Sequence, residues 1–512
     1  MKKQCFAAAL TAGLSVSALA ATTNVATVAD LIGAVRDATS GTEIVVMASG
    51  SPYVFAADDV DVVGHLYARA RITLRGETGD PADVVLVGNA NRILYLAGTG
   101  NTISGLTFRN GDCTGYAKRD EEPYDQMRGG AICLRGYNDP TTEIRDCVFQ
   151  SCRSNQGGGA CANYSTAGTG GKYDNCVFDG NSTQTAGGGA VFRAASIRNC
   201  TFRNNCSNAA NGGALSDVPE VVGCTIVSNA TSSTWGFGGG AYNCTLTGCL
   251  VASNYAYRCG AAADSRLYSC TNRANRSQGD YLELGLTSGG PGCYAENCTF
   301  IDVGKSGRKT FGVCAFSRCR FDDRSFVSGS FIFSQSVAMT NCLIASVSGV
   351  RLFEGLTGAS TLVNCSVVSN SYNFTGNNTS YLPVLDVKNC FFCGNNGGAD
   401  IPAVATNVVV SFTSSILAAA SDDYVPGSEN RNYYPDRMTF NPGFAGAAQD
   451  PENPYAITQK SPAFEMAGRI EDWMASATDI RGAGFPRLRG GKVNIGCYQC
   501  WDVLQGFRII FR

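Results

Sequence analysis

One pattern of hydrophobic and polar positions returns along most of the chain. It reads NCVFDGN at 175–181, NCTFRNN at 199–205, GCTIVSN at 223–229, GCLVASN at 248–254 and NCSVVSN at 364–370. The recurring cysteines are Cys147, Cys176, Cys200, Cys224, Cys249, Cys270, Cys298, Cys319, Cys342, Cys365 and Cys390, 21–29 residues apart and about 24 on average. Two places after the cysteine stands an apolar residue in ten of the eleven units, Asn272 being the exception. Five places after it stands asparagine in seven: Asn181, Asn205, Asn229, Asn254, Asn275, Asn370 and Asn395. Inward residues at alternate positions mark a strand with one buried face, which puts Thr201, Thr225 and Thr299 outside. Asparagine tolerates left-handed backbone and bonds to its own turn, so it is expected to end the strand. The quartets GGAI (129–132), GGAC (158–161), GGAV (188–191), GGAL (212–215) and GGAY (239–242) form a second periodic mark.

A fixed period of this size means a repeat architecture, and two or three short strands per repeat fit an all-β solenoid, the parallel β-helix. Coils stacked about 4.8 Å apart would set cysteine on cysteine, Phe on Phe and Asn on Asn. A slip of one residue would turn the inward face outward, so the register is specified. ISGLTFRNG (103–111) places Leu106 and Phe108 in the two inward slots, and ITLRG (72–76) and VVLVG (84–88) read as still earlier coils. ADLIGAVRDA (29–38) alone has helical spacing and is expected to cap the open end, where an unpaired edge needs cover. The organisation read from these marks is a signal at 1–20, an N-terminal cap at 21–40, a parallel β-helix at 41–420 and a closing segment at 421–512.

These residues resemble the right-handed, single-stranded parallel β-helix proteins of the pectate-lyase-like superfamily. The GGA quartets and the F-x-x-N tetrapeptides Phe178–Asn181, Phe202–Asn205 and Phe392–Asn395 are also similar to the passenger repeats of chlamydial polymorphic outer membrane proteins, which are adhesins. Those relatives end in a membrane barrel, which the roughly 120 residues after the last unit are not expected to form. At 441–499, NPGF, YAITQKSPAFEMAG and DIRGAGFPRLRGGKVNIGCYQ resemble the closing segment of secreted bacterial β-helix proteins. Asp479, Gly482, Arg487, Ile495, Gly496 and Tyr498 match it, while Glu465, Asn494 and Gln499 depart from it. That resemblance implies an architecture and no reaction.

Composition narrows the function classes. Lys+Arg of 40 against Asp+Glu of 42 leaves a net charge of −2, which gives no footprint for nucleic acid. Lys2 and Lys3, an apolar run and Ala18-Leu19-Ala20 look like a secretory signal, so the chain is expected to be exported, to the extracellular space or outer cell surface. No run of 18 apolar residues predicts a membrane helix. His65 is the only histidine, and it reads as a surface or turn residue. Neither the Asn-Thr-Asp and Gly-His-Gly motifs of polygalacturonase-like hydrolases nor the W-I-D-H and R-x-P-x-x-R motifs of pectate lyases occur. SGSFIFSQ (328–335) has Ser330 where a pectin methylesterase has aspartate, and Phe331 and Phe333 read as core. The pairs Asp58-Asp59, Asp322-Asp323 and Asp422-Asp423 read as solvated turns before they read as hydrolytic carboxylates.

Without Cys5, 23 cysteines remain. Most read as small buried apolar thiols, with a few disulfides expected among Cys113, Cys133, Cys152, Cys161, Cys206, Cys259, Cys293 and Cys314. Cys497-x-x-Cys500 is a separate pair. The rhythm breaks at GDCTGYAKRDEEPYDQMRGGA (111–131), a step of 41 residues from Leu106 to Cys147. Insertions in a solenoid map to its binding face. This one carries Asp112, Tyr116, Asp120, Glu121, Glu122, Tyr124, Asp125 and Arg128, a set suited to Ca2+-assisted contact with an acidic sugar, although a solvated loop is the plainer reading. The leading expectation is a non-catalytic exported β-helix in surface adhesion or extracellular structure, with a polysaccharide or cell-surface partner. The alternative is a polysaccharide lyase or glycoside hydrolase acting on an acidic polysaccharide.

Overall fold

The computed structural model describes residues 22–417, apart from short stretches of which 116–126, 323–332 and 396–407 are the longest, and most of 452–500. The signal-like residues 1–20 fall outside it. The body is a parallel β-helix. One coil runs through strands Glu143–Arg145, Val148–Gln150, Arg153–Ser154 and Cys161–Asn163, and the next begins at Lys172–Asp174. Stacking such coils gives four parallel sheets, here A to D in the order met along a coil, with 16, 15, six and nine strands. ITLRG and VVLVG are therefore strands of sheets A and B within one coil.

The register is that of the repeat. Phe149 faces Phe178, which faces Phe202, then Ile226, Val251, Asn272 and Phe300. The rings of Phe108, Phe149, Phe178 and Phe202 stack at 4.7–5.2 Å, tilted by no more than 10°. Phe202 is fully buried while Thr201 stays partly exposed, as the alternation requires.

The asparagines differ from the expectation. Asn181, Asn205, Asn229, Asn254 and Asn275 point inward, no more than 1% exposed. Each Nδ2 donates to Oδ1 of the next at 2.9–3.0 Å. The same Oδ1 also accepts the preceding asparagine's backbone N–H. The left-handed turn falls one residue earlier, at Gly180, Asn204, Ser228, Ser253 and Ala274, where φ is 51–68°. A second left-handed residue precedes every repeat cysteine, from Asp146 to Asn389, with φ of 51–64°.

The cysteines stack in the same way. Cys176 N donates to Cys200 Sγ at 3.3 Å and Cys200 N to Cys224 Sγ at 3.4 Å. Each thiol donates in turn to the carbonyl two residues back, as Cys200 does to Arg198 at 3.0 Å. The slot wants a small side chain that can both donate and accept, and in the last coil Ser415 fills it, accepting from Cys390 N.

The expected disulfides do not form, and all 23 cysteines are free. Cys293 and Cys314 are partners on adjacent rungs, where side chains run parallel at about the 4.8 Å strand spacing, against about 3.8 Å between Cβ atoms in a disulfide. Cys133 faces Tyr95 and Ala162, Cys161 faces Ile132 and Val191, and Cys206 faces Ser182 and Ala230, so none has a sulfur on a neighbouring rung.

The GGA quartets turn the chain into sheet D. A Cβ on Gly213 would lie 2.1 Å from the Gly239 carbonyl oxygen, so coils approach there as only glycine permits. In the fifth quartet the register slips by one: Gly238 is the left-handed glycine, and Ala241 pairs with Leu215.

Helix Val28–Arg36 closes the N-terminal end, with Thr27 Oγ1 accepting from Asp30 N and Leu31 and Val35 buried in the core. The sheet itself starts earlier, at Thr22–Val25, which pairs with Thr42–Val46. At the other end, the closing segment packs on the outside of sheet B. Outward-facing Leu343, Ala345, Phe391 and Cys393 form a second apolar cluster with Ala456, Ile457, Ile480, Ile495, Cys497 and Tyr498. Gly496, at φ +92°, lies so close that a Cβ would be 2.7 Å from Ser366 Oγ.

Two measurements check this account. Phe202→Ala is expected to cost about 3–5 kcal/mol in denaturant unfolding, and Thr201→Ala under about 0.5. Asn229→Ala removes the acceptor of Asn205 N and Nδ2 and the Nδ2 donor to Asn254 Oδ1, and is expected to cost about 2–4 kcal/mol, whereas Asn204→Gly, at a left-handed turn, costs under about 1.

Candidate functional site

Between Thr107–Arg109 of sheet B and Ile132–Leu134 of sheet D, the described residues of this coil form no sheet C strand, only the isolated bridge of Asp112 to Arg153. Of the predicted loop residues, Tyr116, Asp120, Glu121, Glu122, Tyr124 and Asp125 lie outside the described residues. Asp112 and Arg128, at the two ends, are described. Asp112 Oδ1 caps its own turn, accepting from Thr114 N at 2.8 Å and Thr114 Oγ1 at 2.6 Å. Its backbone bridges to Arg153. Arg128 lies with its guanidinium 5.5 Å from the Phe192 ring centre. Its carbonyl, with that of Gly129, accepts from the fully buried Arg92 at 2.7–3.1 Å. The two described ends of the insertion are thus tied to the body, Asp112 to sheet C through Arg153 and Arg128 beside sheet D.

The outer face of sheet D carries a row of rings and guanidinium groups. Tyr67, Tyr95, Phe192 and Tyr242 occupy outward positions on its strands. Arg69 lies 4.5 Å over Tyr67, Arg92 5.3 Å over Tyr95, Arg193 4.6 Å over Phe192 and Arg258 5.6 Å over Phe237. Each pairing joins a cation to a ring's negative face. Asp217, 3.9 Å from Arg193, and Asp264 are the acids described beside them, so the face is net positive. Trp235, 72% exposed, projects from the turn before Phe237. The sequence reading passed over this face because its arginines follow no repeat position. Their one signal is an aromatic residue within three places along the chain: Tyr67-x-Arg69, Arg92-x-x-Tyr95 and Phe192-Arg193. A shallow cleft of about 200 Å3 on sheet A, lined by Glu143, Arg145, Lys172, Asp174 and Arg198, is mixed in charge.

His65 is buried rather than on the surface. It stacks on Phe55 at 4.6 Å, its Nε2 accepts from Asn89 N at 3.2 Å, and its Nδ1–H therefore donates to the Asp59 carbonyl. Burial pushes its pKa below the usual value. A neutral imidazole with both nitrogens engaged inside the first coils cannot serve a substrate outside them. Asp59 Oδ2 accepts from Ala56 N at 2.7 Å, which makes the Asp58-Asp59 pair a turn. Asp322 is on the surface, and Asp323, Asp422 and Asp423 lie outside the described residues. Phe333 is core, as expected, and Phe331 and Ser330 are not described. Burial pushes the Cys152 and Cys244 thiols up to about 12, which keeps them protonated and unreactive. No group of three or more metal-ligating side chains occurs among the described residues.

No protein-family profile matches the chain, and no curated protein matches it. Solved structures do. The PL6 family alginate lyase AlyGC is 15% identical, with 81% of this chain and 53% of that chain covered and a TM-score of 0.31. This chain therefore spans about half the length of that structure. A mannuronic-acid-specific family 6 polysaccharide lyase from human gut microbiota is 12% identical over 82% and 92% of the two chains, with a TM-score of 0.31. Pectate lyase Pel9A is 10% identical over 91% and 90%, with a TM-score of 0.24. At these values the matches carry no activity or substrate across to this chain.

The buried histidine makes a pH prediction. Because the folded state disfavours the imidazolium, stability owed to His65 is fully present above the unfolded pKa near 6.5 and is lost as pH falls below it. Lowering the pH from about 7.5 to about 5.5 is expected to depress the melting temperature of the wild type more than that of His65→Gln.

Proposed function

We propose that the protein is an exported β-helix that acts in surface adhesion by binding an acidic polysaccharide along the outer face of sheet D, without cleaving it. The accessible guanidinium groups of Arg69, Arg128, Arg193 and Arg258 on that face, each over a ring, are the observation that carries this reading, while the buried Arg92–Tyr95 pair braces the face from within. Guanidinium groups pair with carboxylates in bidentate fashion, and the exposed Trp235 with the partly exposed Tyr67 and Tyr242 offers flat apolar area to sugar faces. The rungs repeat at the strand spacing of about 4.8 Å, and an extended polymer lying along the stack would meet Tyr67 and Tyr95 on neighbouring rungs, then Phe192 three rungs on and Tyr242 two rungs beyond it. Burial of His65 and of the thiols supports binding over cleavage. The carboxylates Asp120, Glu121, Glu122 and Asp125 of the insertion would suit a calcium-bridged contact with the same acidic polymer.

Calorimetric titration with a panel of acidic and neutral polysaccharides tests it. The acidic members are expected to bind, with affinity falling as salt rises. The double variant Arg69→Ala/Arg193→Ala is expected to bind at least about tenfold more weakly while keeping its melting temperature within a few degrees. Equal binding by both proteins would remove sheet D from consideration. Release of unsaturated uronate ends or reducing sugar by the wild type would favour the lyase or hydrolase reading instead.

A further inference from the structure

Beneath the closing segment lies a polar cluster whose hydrogen bonds do not close. The left-handed asparagines Asn341, Asn364 and Asn389, exposed turn positions in earlier coils, are at most 2% exposed here. Asn341 Nδ2 donates to the Thr478 carbonyl at 3.1 Å, and the Asn389 carbonyl accepts from Gly496 N at 2.8 Å. Arg487 spans the interval between these two contacts. Its backbone N bonds to the Ala477 carbonyl, and its Nη2 donates to the carbonyls of Asn494 and Gly496. Its guanidinium lies within electrostatic reach of Cys365 and Cys390, the residues that follow Asn364 and Asn389.

Arg487 is fully buried, and its Nε and Nη1 have no partner. Nor do Nδ2 and Oδ1 of Asn364 or Oδ1 of Asn341. Among the described residues the nearest carboxylate is spoken for: Asp479 accepts from Arg481 N, from the Arg481 guanidinium and from Gln499 N. Asp479 is fully buried and the Arg481 side chain 13% exposed. Among the described residues one carboxylate thus faces two guanidinium groups, which leaves an excess positive charge. A buried charge without a counter-charge is costly, as is a buried donor without an acceptor. Desolvation accordingly lowers the pKa of Arg487 to about 10.

We infer that Arg487 and Asn364 hold a small monovalent anion of halide size, which pins the closing segment to the β-helix. An anion accepts from Nε, Nη1 and the Asn364 amide together, and it balances the charge. A water molecule satisfies some of the donors and leaves the charge. The site is independent of the polysaccharide reading.

Halide titration of the full-length protein at constant ionic strength, with bromide replacing gluconate, tests it. The wild type is expected to gain about 2 °C or more in melting temperature, and proteolytic cutting within 452–500 is expected to slow several-fold. Asn364→Asp supplies the negative charge covalently, so its closing segment is expected to stay docked with the bromide response gone. Crystals grown in bromide are expected to show an anomalous peak against Arg487. An absent bromide response in the wild type, an undiminished response in Asn364→Asp, or density at Arg487 without anomalous signal would each overturn the inference.

Discussion

In-register parallel stacking is the constraint on which everything else rests. Each interior position meets its own copy one rung above and below, at about the 4.8 Å of paired strands. A polar side chain can therefore be buried if it is able to bond to itself along the axis. Asparagine does so because its amide both donates and accepts, and cysteine does so through S–H and Sγ. The recurring cysteine is thus a hydrogen-bonding element of the stack. Ser415, which takes over its place, makes the same bonds.

Where the self-pairing fails, the structure changes character. Asn272 stands between Val251 and Phe300 in the apolar file, buried, with neither amide atom paired. A lone amide in a file of rings has no copy of itself to meet, and it separates the stack of Phe108 to Phe202 from the cluster around Phe300, Phe316 and Phe321. Among the described residues, sheet C has no strand in the coils before the insertion or in its own, and begins at Arg153–Ser154 in the next coil. The ends of the insertion at 112–128 are held by Arg92 and by the Asp112–Arg153 bridge.

The outside of the helix is read differently in different coils. On sheet D the outward positions collect rings and guanidinium groups, and on the early strands of sheet B they are polar, as at Thr201, Arg203 and Thr225. On the later strands they turn apolar, at Leu343, Ala345, Phe391 and Cys393, and the closing segment covers them. The motif residues of that segment act structurally. Asp479 gathers a guanidinium and two backbone N–H groups, Gly482 and Gly496 take left-handed backbone, and Arg487 holds two carbonyls.

The sequence by itself determined the fold, the inward file from Phe149 to Phe392, the outward threonines and the capping helix, because period-2 alternation repeated every 24 or so residues admits few packings. It also carried a signal that went unread. Asn, Asp, Gly or Ser precedes ten of the eleven repeat cysteines, and these are the left-handed turns, with Arg318 the exception. Tertiary structure alone decided that the asparagines face inward, since a bond to the same residue one coil away leaves no mark in local spacing. It decided the burial of His65 through contacts with Phe55 and with Asn89, 24 residues along the chain. It also assembled the sheet D face and the Arg487 cluster. Those sites join residues from separate coils, or from chain ends over a hundred residues apart, and only the stacking of coils brings them within reach.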